Sequence, residues 1–130
     1  MTKEDLEKYQ GLSAEVNAIE YEIAQLYVPI GSPNGKETMT ISNVPSNPTE
    51  KNALLIIQKK KELERLKEQL YEHVVYIEDW LLTVEDHEIR SIIRWHYLLG
   101  LNWKQTNLKV YGYPDYDYSR KKIDRFFENN

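Results

Sequence analysis

The stretch LLGLNWKQTNLKVYGYPDYDYSRKKIDRFF, residues 98 to 127, decides the fold of this chain. Gly100 interrupts the preceding helical pattern, Asn102 with Gln105 opens a short amphipathic helix, and Gly112 ends that helix. A loop then leads into a last helix that begins Ser-Arg-Lys-Lys. Two short helices joined by a turn, the second of them basic, follow the order of a helix-turn-helix. The sequence therefore predicts a helix-turn-helix unit, and double-stranded DNA is the first partner to consider.

The last predicted helix carries a cluster of four cations. Ser119 is expected to cap this helix, and Ile123, Phe126 and Phe127 are expected to face inward. Cationic side chains on the opposite face would contact phosphate, and an arginine near the helix start would reach guanine edges. The alternative is a solvated basic face without a ligand. The candidate DNA-contacting residues are Ser119, Arg120, Lys121, Lys122 and Arg125 on the last helix, with Lys104, Gln105 and Lys109 on the helix before it.

The charge is distributed unevenly along the 130 residues. Residues 86 to 130 contain 8 Lys and Arg against 6 Asp and Glu, whereas residues 1 to 85 contain 9 against 15. The net charge of −4 disfavours indiscriminate coating of DNA and requires any DNA contact to be local. Cysteine is absent, which excludes disulfides and thiolate metal sites. No signal peptide or apolar membrane span is recognisable, so we expect a cytoplasmic protein without membrane contact.

Helix-forming residues dominate, and the fold class predicted is all-α: a long antiparallel helical hairpin followed by the helix-turn-helix unit. Apolar residues recur every three or four positions from Tyr9 to Ile30 and again from Ile56 to Trp80, which indicates two long helices. A Pro/Gly-rich loop at about 29 to 48 connects them, and Asn47-Pro48 is a start signal for the second helix. Residues 1 to 82 thus form the hairpin and residues 83 to 130 the DNA-binding unit. Apolar positions left over on the hairpin predict a homodimer: Leu55, Val74 and Leu81.

The third helix is predicted to start at Thr83, with Asp86 three residues on. The layout of the chain includes VPSNPTEKNA (residues 44 to 53) before the long charged helix. The C-terminal part contains the series Arg90, Arg94, Tyr97, Gly100, Trp103, Gly112, Tyr113 and Ser119. In this layout and in these residues the chain resembles, over nearly its whole length, the RinA and ArpU-like late transcriptional activators of phages of Gram-positive bacteria and their relatives. The C-terminal unit is similar to the promoter-reading domain of sigma factors.

The resemblance implies sequence-specific DNA binding that regulates phage genes in a bacterial host cell, with RNA polymerase as a further candidate partner. The chain departs from the family pattern at two places. Residues 114 to 118, PDYDY, lengthen the turn before Ser119, and Asn107 stands where the family commonly has alanine. Two other classes stay open: a non-enzymatic module that binds protein through the hairpin, and a small DNA-packaging component that assembles into rings.

Several residues also suggest chemistry, and each has a simpler interpretation. Tyrosines interleaved with cations fit base stacking in a single strand, although Tyr111 and Tyr113 are expected to fill the core of the turn instead. Acidic residues around a histidine suggest catalysis, but acids are also typical of the first turn of a helix. The three histidines lack the spacing of a helical metal pair. We therefore predict no enzyme activity, no metal and no cofactor. The acidic groups considered are Glu85, Asp86 and Glu88 around His87, and Asp115 with Asp117.

Overall fold

The computed structural model describes residues 1 to 27 and 50 to 129, and the elements within them are all helical. The all-α prediction is therefore confirmed for this part of the chain. The predicted 29 to 48 loop and the Asn47-Pro48 start signal lie outside the described residues. None of the described helices has both the length and the apolar character needed to cross a bilayer. The helices are α1 (Lys3–Leu26), α2 (Glu50–Leu81), α3 (His87–Ile92), α4 (Trp103–Tyr111) and α5 (Tyr118–Glu128).

The chain divides into two compact units. Unit 1 combines Met1–Ser13 with Leu70–Asn130, and unit 2 consists of Ala14–Gln69. Each of the two long helices therefore contributes one end to unit 1 and the other to unit 2. The predicted boundary at residue 82 separated a hairpin from a DNA-binding unit by role, and that division of roles stays a prediction.

In unit 2, polar contacts join α1 to α2 in opposite chain order. Lys67 lies 3.8 Å from Glu20, and Lys59 lies 2.6 Å from Glu22. Further along α1, the Leu26 carbonyl accepts a hydrogen bond of 3.3 Å from the side-chain amide of Asn52, which precedes Lys59 on α2. This order is consistent with antiparallel helices. The buried apolar residues of the unit repeat at helical spacing: Val16, Ile19 and Ile23 on α1, and Ile56, Leu63 and Leu66 on α2.

The core of unit 1 combines distant parts of the chain. Two residues of the first helix pack with residues from the end of α2 and from the three short C-terminal helices. Because Leu81 belongs to this core and Val74 packs against it, these two are not left over for a second copy as predicted; Leu55 is exposed. The core residues are Leu6, Tyr9, Ile77, Leu81, Val84, Ile89, Ile92, Ile93, Tyr97 and Ile123.

The start of α3 differs from the prediction. The cap is Asp86, whose carboxylate accepts hydrogen bonds from the backbone N–H groups of Glu88 and Ile89 at 2.8 and 3.3 Å. The Thr83 hydroxyl instead donates a hydrogen bond to the Trp80 carbonyl at the end of α2, so the prediction that this helix starts at Thr83 is wrong. A threonine hydroxyl competes for nearby backbone groups in this way, whereas a carboxylate also interacts favourably with the helix dipole.

The connection from α3 to α4 follows the predicted signals. After Ile92 the helix widens into a π-helical segment, Ile93–Leu98, and the Leu99 N–H bonds to the Arg94 carbonyl five residues earlier. Gly100 then adopts a φ of +79°, where a side chain would be strained. Asn102 and Gln105 form a reciprocal capping box at 2.8 and 3.1 Å. The predicted turn and the predicted start of α4 are both confirmed.

Candidate nucleic-acid interface

Apolar side chains anchor α5 to the body of unit 1. Ile123 is fully buried in the core. Phe127 stacks on Trp80 of α2 with ring centroids 5.9 Å apart, and Phe126 meets the same ring edge-on at 6.1 Å. These contacts fix the rotation of the helix about its axis. The residues on the opposite face therefore point away from the core, as the sequence predicts.

The four cations of α5 fall into two pairs. Lys121 and Arg125 are exposed and lie four residues apart, so they share one face of the helix. Neither forms an ion pair with any residue that the structure describes. Arg120 and Lys122 flank this face, and both are engaged within the protein. The four cations are equivalent in the sequence, and the structure separates them by their contacts.

Lys122 joins three helices through one carboxylate. Its ammonium group pairs with Glu88 of α3, and the Tyr111 hydroxyl of α4 donates to the same carboxylate oxygen at 3.1 Å. The hydrogen bonds from Lys122 and Tyr111 lower the pKa of Glu88, and the bond to Glu88 raises the pKa of Lys122. Burial, followed by the bond to Glu88, raises the pKa of Tyr111 to about 12. Lys122 therefore holds α5 against its neighbours.

Arg120 lies between two acids. Its guanidinium group is 3.0 Å from Asp117 and 3.6 Å from Asp124, one before and one after it along the chain. Asp124 also accepts a 2.6 Å bond from Lys3 in the first turn of α1. The two carboxylates thus offset the positive charge of Arg120. Arg120 also lines a cleft of about 230 Å³ in unit 1, together with Lys3, Glu7, Gln10, His96, Tyr97 and Trp103.

Ser119 is buried, which corrects its predicted role. Its side chain is fully inaccessible, and its hydroxyl donates a 2.6 Å hydrogen bond to the Asn107 side chain of α4. No side-chain cap is present at the start of α5, where the helix follows Asp117. Ser119 is therefore neither the helix cap nor a surface group available to DNA. Its hydroxyl instead fixes the start of α5 to α4.

Asn107 has a structural role that was not predicted from the sequence. This residue is also fully buried, and its amide nitrogen donates a 2.9 Å bond to the Tyr113 carbonyl in the turn. One side chain thus binds both ends of the long turn between α4 and α5. The signal was present in the sequence, because Asn107 shares an inward spacing with Trp103 and Val110. A polar residue at such a position needs a partner, and the turn supplies two.

The three predicted residues of α4 are exposed, but each has a contact of its own. The ammonium group of Lys104 lies 5.7 Å from the ring centre of Tyr116, and that of Lys109 lies 5.3 Å from the Trp95 ring. The Gln105 side chain closes the capping box. No direct contact among the described residues joins these three to Lys121 or Arg125. They remain separate candidates on the neighbouring helix.

The tyrosines of the turn are only partly as predicted. Tyr111 is half-buried and meets Tyr118 edge-on at 4.9 Å, as expected of a residue that fills the turn. Tyr113, in contrast, is 46% exposed, because its backbone carbonyl rather than its ring is turned toward Asn107. The prediction that Tyr113 fills the core is wrong.

Four of the five acidic groups that suggested chemistry have structural contacts, and Glu85 is the exception among the described residues. Asp86 caps α3, Glu88 binds Lys122, and Asp117 binds Arg120, whose hydrogen bond lowers the pKa of Asp117. The Asp115 carboxylate accepts a 3.1 Å hydrogen bond from the Asp117 backbone N–H within the turn. Among the described residues no group of three or more potential ligands is arranged to hold a metal ion.

Comparison with known proteins adds no relative to this description: no protein-family model, no curated protein and no solved structure matches the chain.

Proposed function

We propose that this protein is a sequence-specific DNA-binding regulator that places α5 in the major groove of duplex DNA. One observation carries the proposal. Lys121 and Arg125 stand side by side on the face of α5 opposite the core, and no described acid neutralises them. Two cations without an acidic partner among the described residues, on an exposed helix that follows a helix and a turn, are the arrangement that a helix-turn-helix protein uses for DNA.

The neighbouring cations have a supporting role in this proposal. Lys122 holds α5 through Glu88 of α3, so that the outward pair is presented in one orientation, whereas Asp117 and Asp124 offset the charge of Arg120 along the same helix. Lys104, Gln105 and Lys109 would contact the phosphate backbone beside the groove. In its finer form the proposal is a phage-type regulator of late genes, which acts as a homodimer in the cytoplasm of a bacterial host with RNA polymerase as a second partner.

A selection of bound duplexes from a random pool tests the proposal, followed by titration of the selected duplex at several salt concentrations. The double variant K121A/R125A is expected to bind at least about a hundredfold more weakly, because each of the two lost charge-assisted contacts contributes about 1.5 to 3 kcal/mol. The slope of log affinity against log salt is expected to fall by about two, since about 0.9 counterion is released per phosphate contact.

The matched control is K61A/R65A, which removes the same two residue types at the same spacing from an exposed part of α2. This control is expected to bind DNA like the unaltered protein. No enriched motif, or equal losses in both variants, would contradict the proposal.

A further inference from the structure

The outward face of α2 in unit 1 is apolar where a solvent-facing helix is normally polar. Tyr71, Val75 and Leu82 are spaced by four and seven residues, which places them along one face that runs to the residue directly after the helix. Their side chains are 69%, 40% and 82% exposed. Tyr76 beside them is exposed as well. Glu78, which pairs with Arg94, lies between Val75 and Leu82 on the same face. Exposed apolar residues of this size grouped on one face are typical of binding surfaces.

The same region is acidic. Residues 70 to 89 contain six Asp and Glu and not one Lys or Arg. Glu78 is neutralised by Arg94, with bonds of 2.8 and 3.2 Å, and Glu88 by Lys122. Glu72, Asp79 and Glu85 take part in no ion pair with a residue that the structure describes. Glu72 and Asp79 lie one and eight residues after Tyr71, which places them along one edge of the apolar row.

We propose that this acidic-apolar face is a docking surface for a basic amphipathic helix of a partner protein. The row Tyr71, Val75 and Leu82 would receive the apolar residues of such a helix at intervals of three and four. Glu72 and Asp79 would pair with its Lys and Arg side chains and set its orientation. None of these residues is among the proposed DNA contacts, and the inference does not depend on the proposed DNA binding.

Charge selects this occupant over the alternatives. A second copy of the chain that docked through the same face would bring its own acids against Glu72 and Asp79, and like charges in contact are destabilising. Nucleic acid would be repelled in the same way. A neutral amphipathic helix would fill the apolar row but leave both carboxylates without a partner. A basic amphipathic helix satisfies both features of the surface.

The test measures binding of the full chain to a fluorescent synthetic helix with leucine at every third and fourth position and lysine elsewhere. A second peptide of identical composition, with the leucines scattered so that no apolar face forms, controls for charge alone. Anisotropy titration is expected to show at least about tenfold tighter binding of the amphipathic peptide, since well-packed apolar anchors dominate such interfaces. The variant V75S/L82S is expected to lose this preference, and E72Q/D79Q to flatten the salt dependence.

The control variant L54S/I57S removes two exposed apolar residues from α2 in unit 2 and is expected to bind the peptide normally. Unchanged circular dichroism and melting temperature in all three variants verify that folding is intact. Equal binding of the two peptides, or normal binding by V75S/L82S, would overturn the proposal. A dimer in analytical ultracentrifugation that V75S/L82S dissociates would also overturn it, because the face would then belong to a second copy.

Discussion

The substitution Asn107→Ala provides a quantitative test of how the long turn is held. It removes the acceptor of the buried Ser119 hydroxyl, and a buried polar group left unpaired destabilises by about 1 to 3 kcal/mol. The Tyr113 carbonyl loses its donor too, but it lies in an exposed turn where water can replace the bond, so about 0.5 to 1 kcal/mol is lost there. The missing amide leaves a cavity on the order of 30 Å³, or about 0.7 kcal/mol. We expect the free energy of unfolding to fall by about 2 to 5 kcal/mol.

Urea unfolding monitored by tryptophan fluorescence measures this loss. In a double-mutant cycle with Ser119→Ala, the double variant is expected to lose about 1 kcal/mol less than the two single variants combined, because no hydroxyl is left unpaired. Leu108→Ala, an exposed change on the neighbouring position of α4, is the control and is expected to stay within about 0.5 kcal/mol of the unaltered protein. A loss below about 1 kcal/mol for Asn107→Ala, or strict additivity in the cycle, would refute the role assigned to Asn107.

Two further predictions concern protonation. Burial lowers the pKa of His96 below 6.5, and the hydrogen bond of its ring to the Leu101 carbonyl offsets this shift only partly. As the pH falls, the unfolded chain therefore binds a proton at this histidine before the folded protein does. The contribution of neutral His96 to the free energy of unfolding is present above about pH 6.5 and decreases as the pH falls through the folded pKa, which NMR titration of the ring and unfolding of His96→Asn will check. The hydrogen bonds from Lys122 and Tyr111 lower the pKa of Glu88 below 4.5. The ionised Glu88 carboxylate therefore contributes to the free energy of unfolding above that pH, and this contribution disappears on further acidification. Acid unfolding of Glu88→Gln is expected to lack this component, and an identical acid profile would argue against the three-helix contact.

The helix ends that were predicted correctly depend on residues close together in the sequence. The Asn102–Gln105 capping box closes within four residues, and Gly100 needs only its own backbone to take a left-handed conformation. Such signals act over one helical turn, so the sequence contains all the information. The start of α3, in contrast, cannot be predicted from cap residues alone. Thr83 and Asp86 are both cap residues, and Thr83 bonds instead to Trp80 at the end of the preceding helix.

The division of roles in the candidate site depended on contacts between distant residues. Serine is a common helix-cap residue, but the Ser119 hydroxyl donates a hydrogen bond to Asn107, a buried residue twelve positions earlier. Lys122 looks identical to Lys121 in the sequence, and only the fold shows that Glu88, 34 residues away, neutralises it. Local periodicity identifies which face of α5 is polar. It does not identify which of its cations are already bound.

The contact between Lys3 and Asp124 spans 121 residues, and Leu6 shares a core with Ile123. During synthesis, the Leu6 side chain therefore has its full set of core neighbours only after Ile123 has been added. Contacts between residues far apart in the sequence slow folding and prolong the exposure of aggregation-prone intermediates. A recombinant fragment that starts at residue 83 would lack Leu6, Tyr9, Ile77 and Leu81, and it would need those segments supplied in trans to become a stable protein.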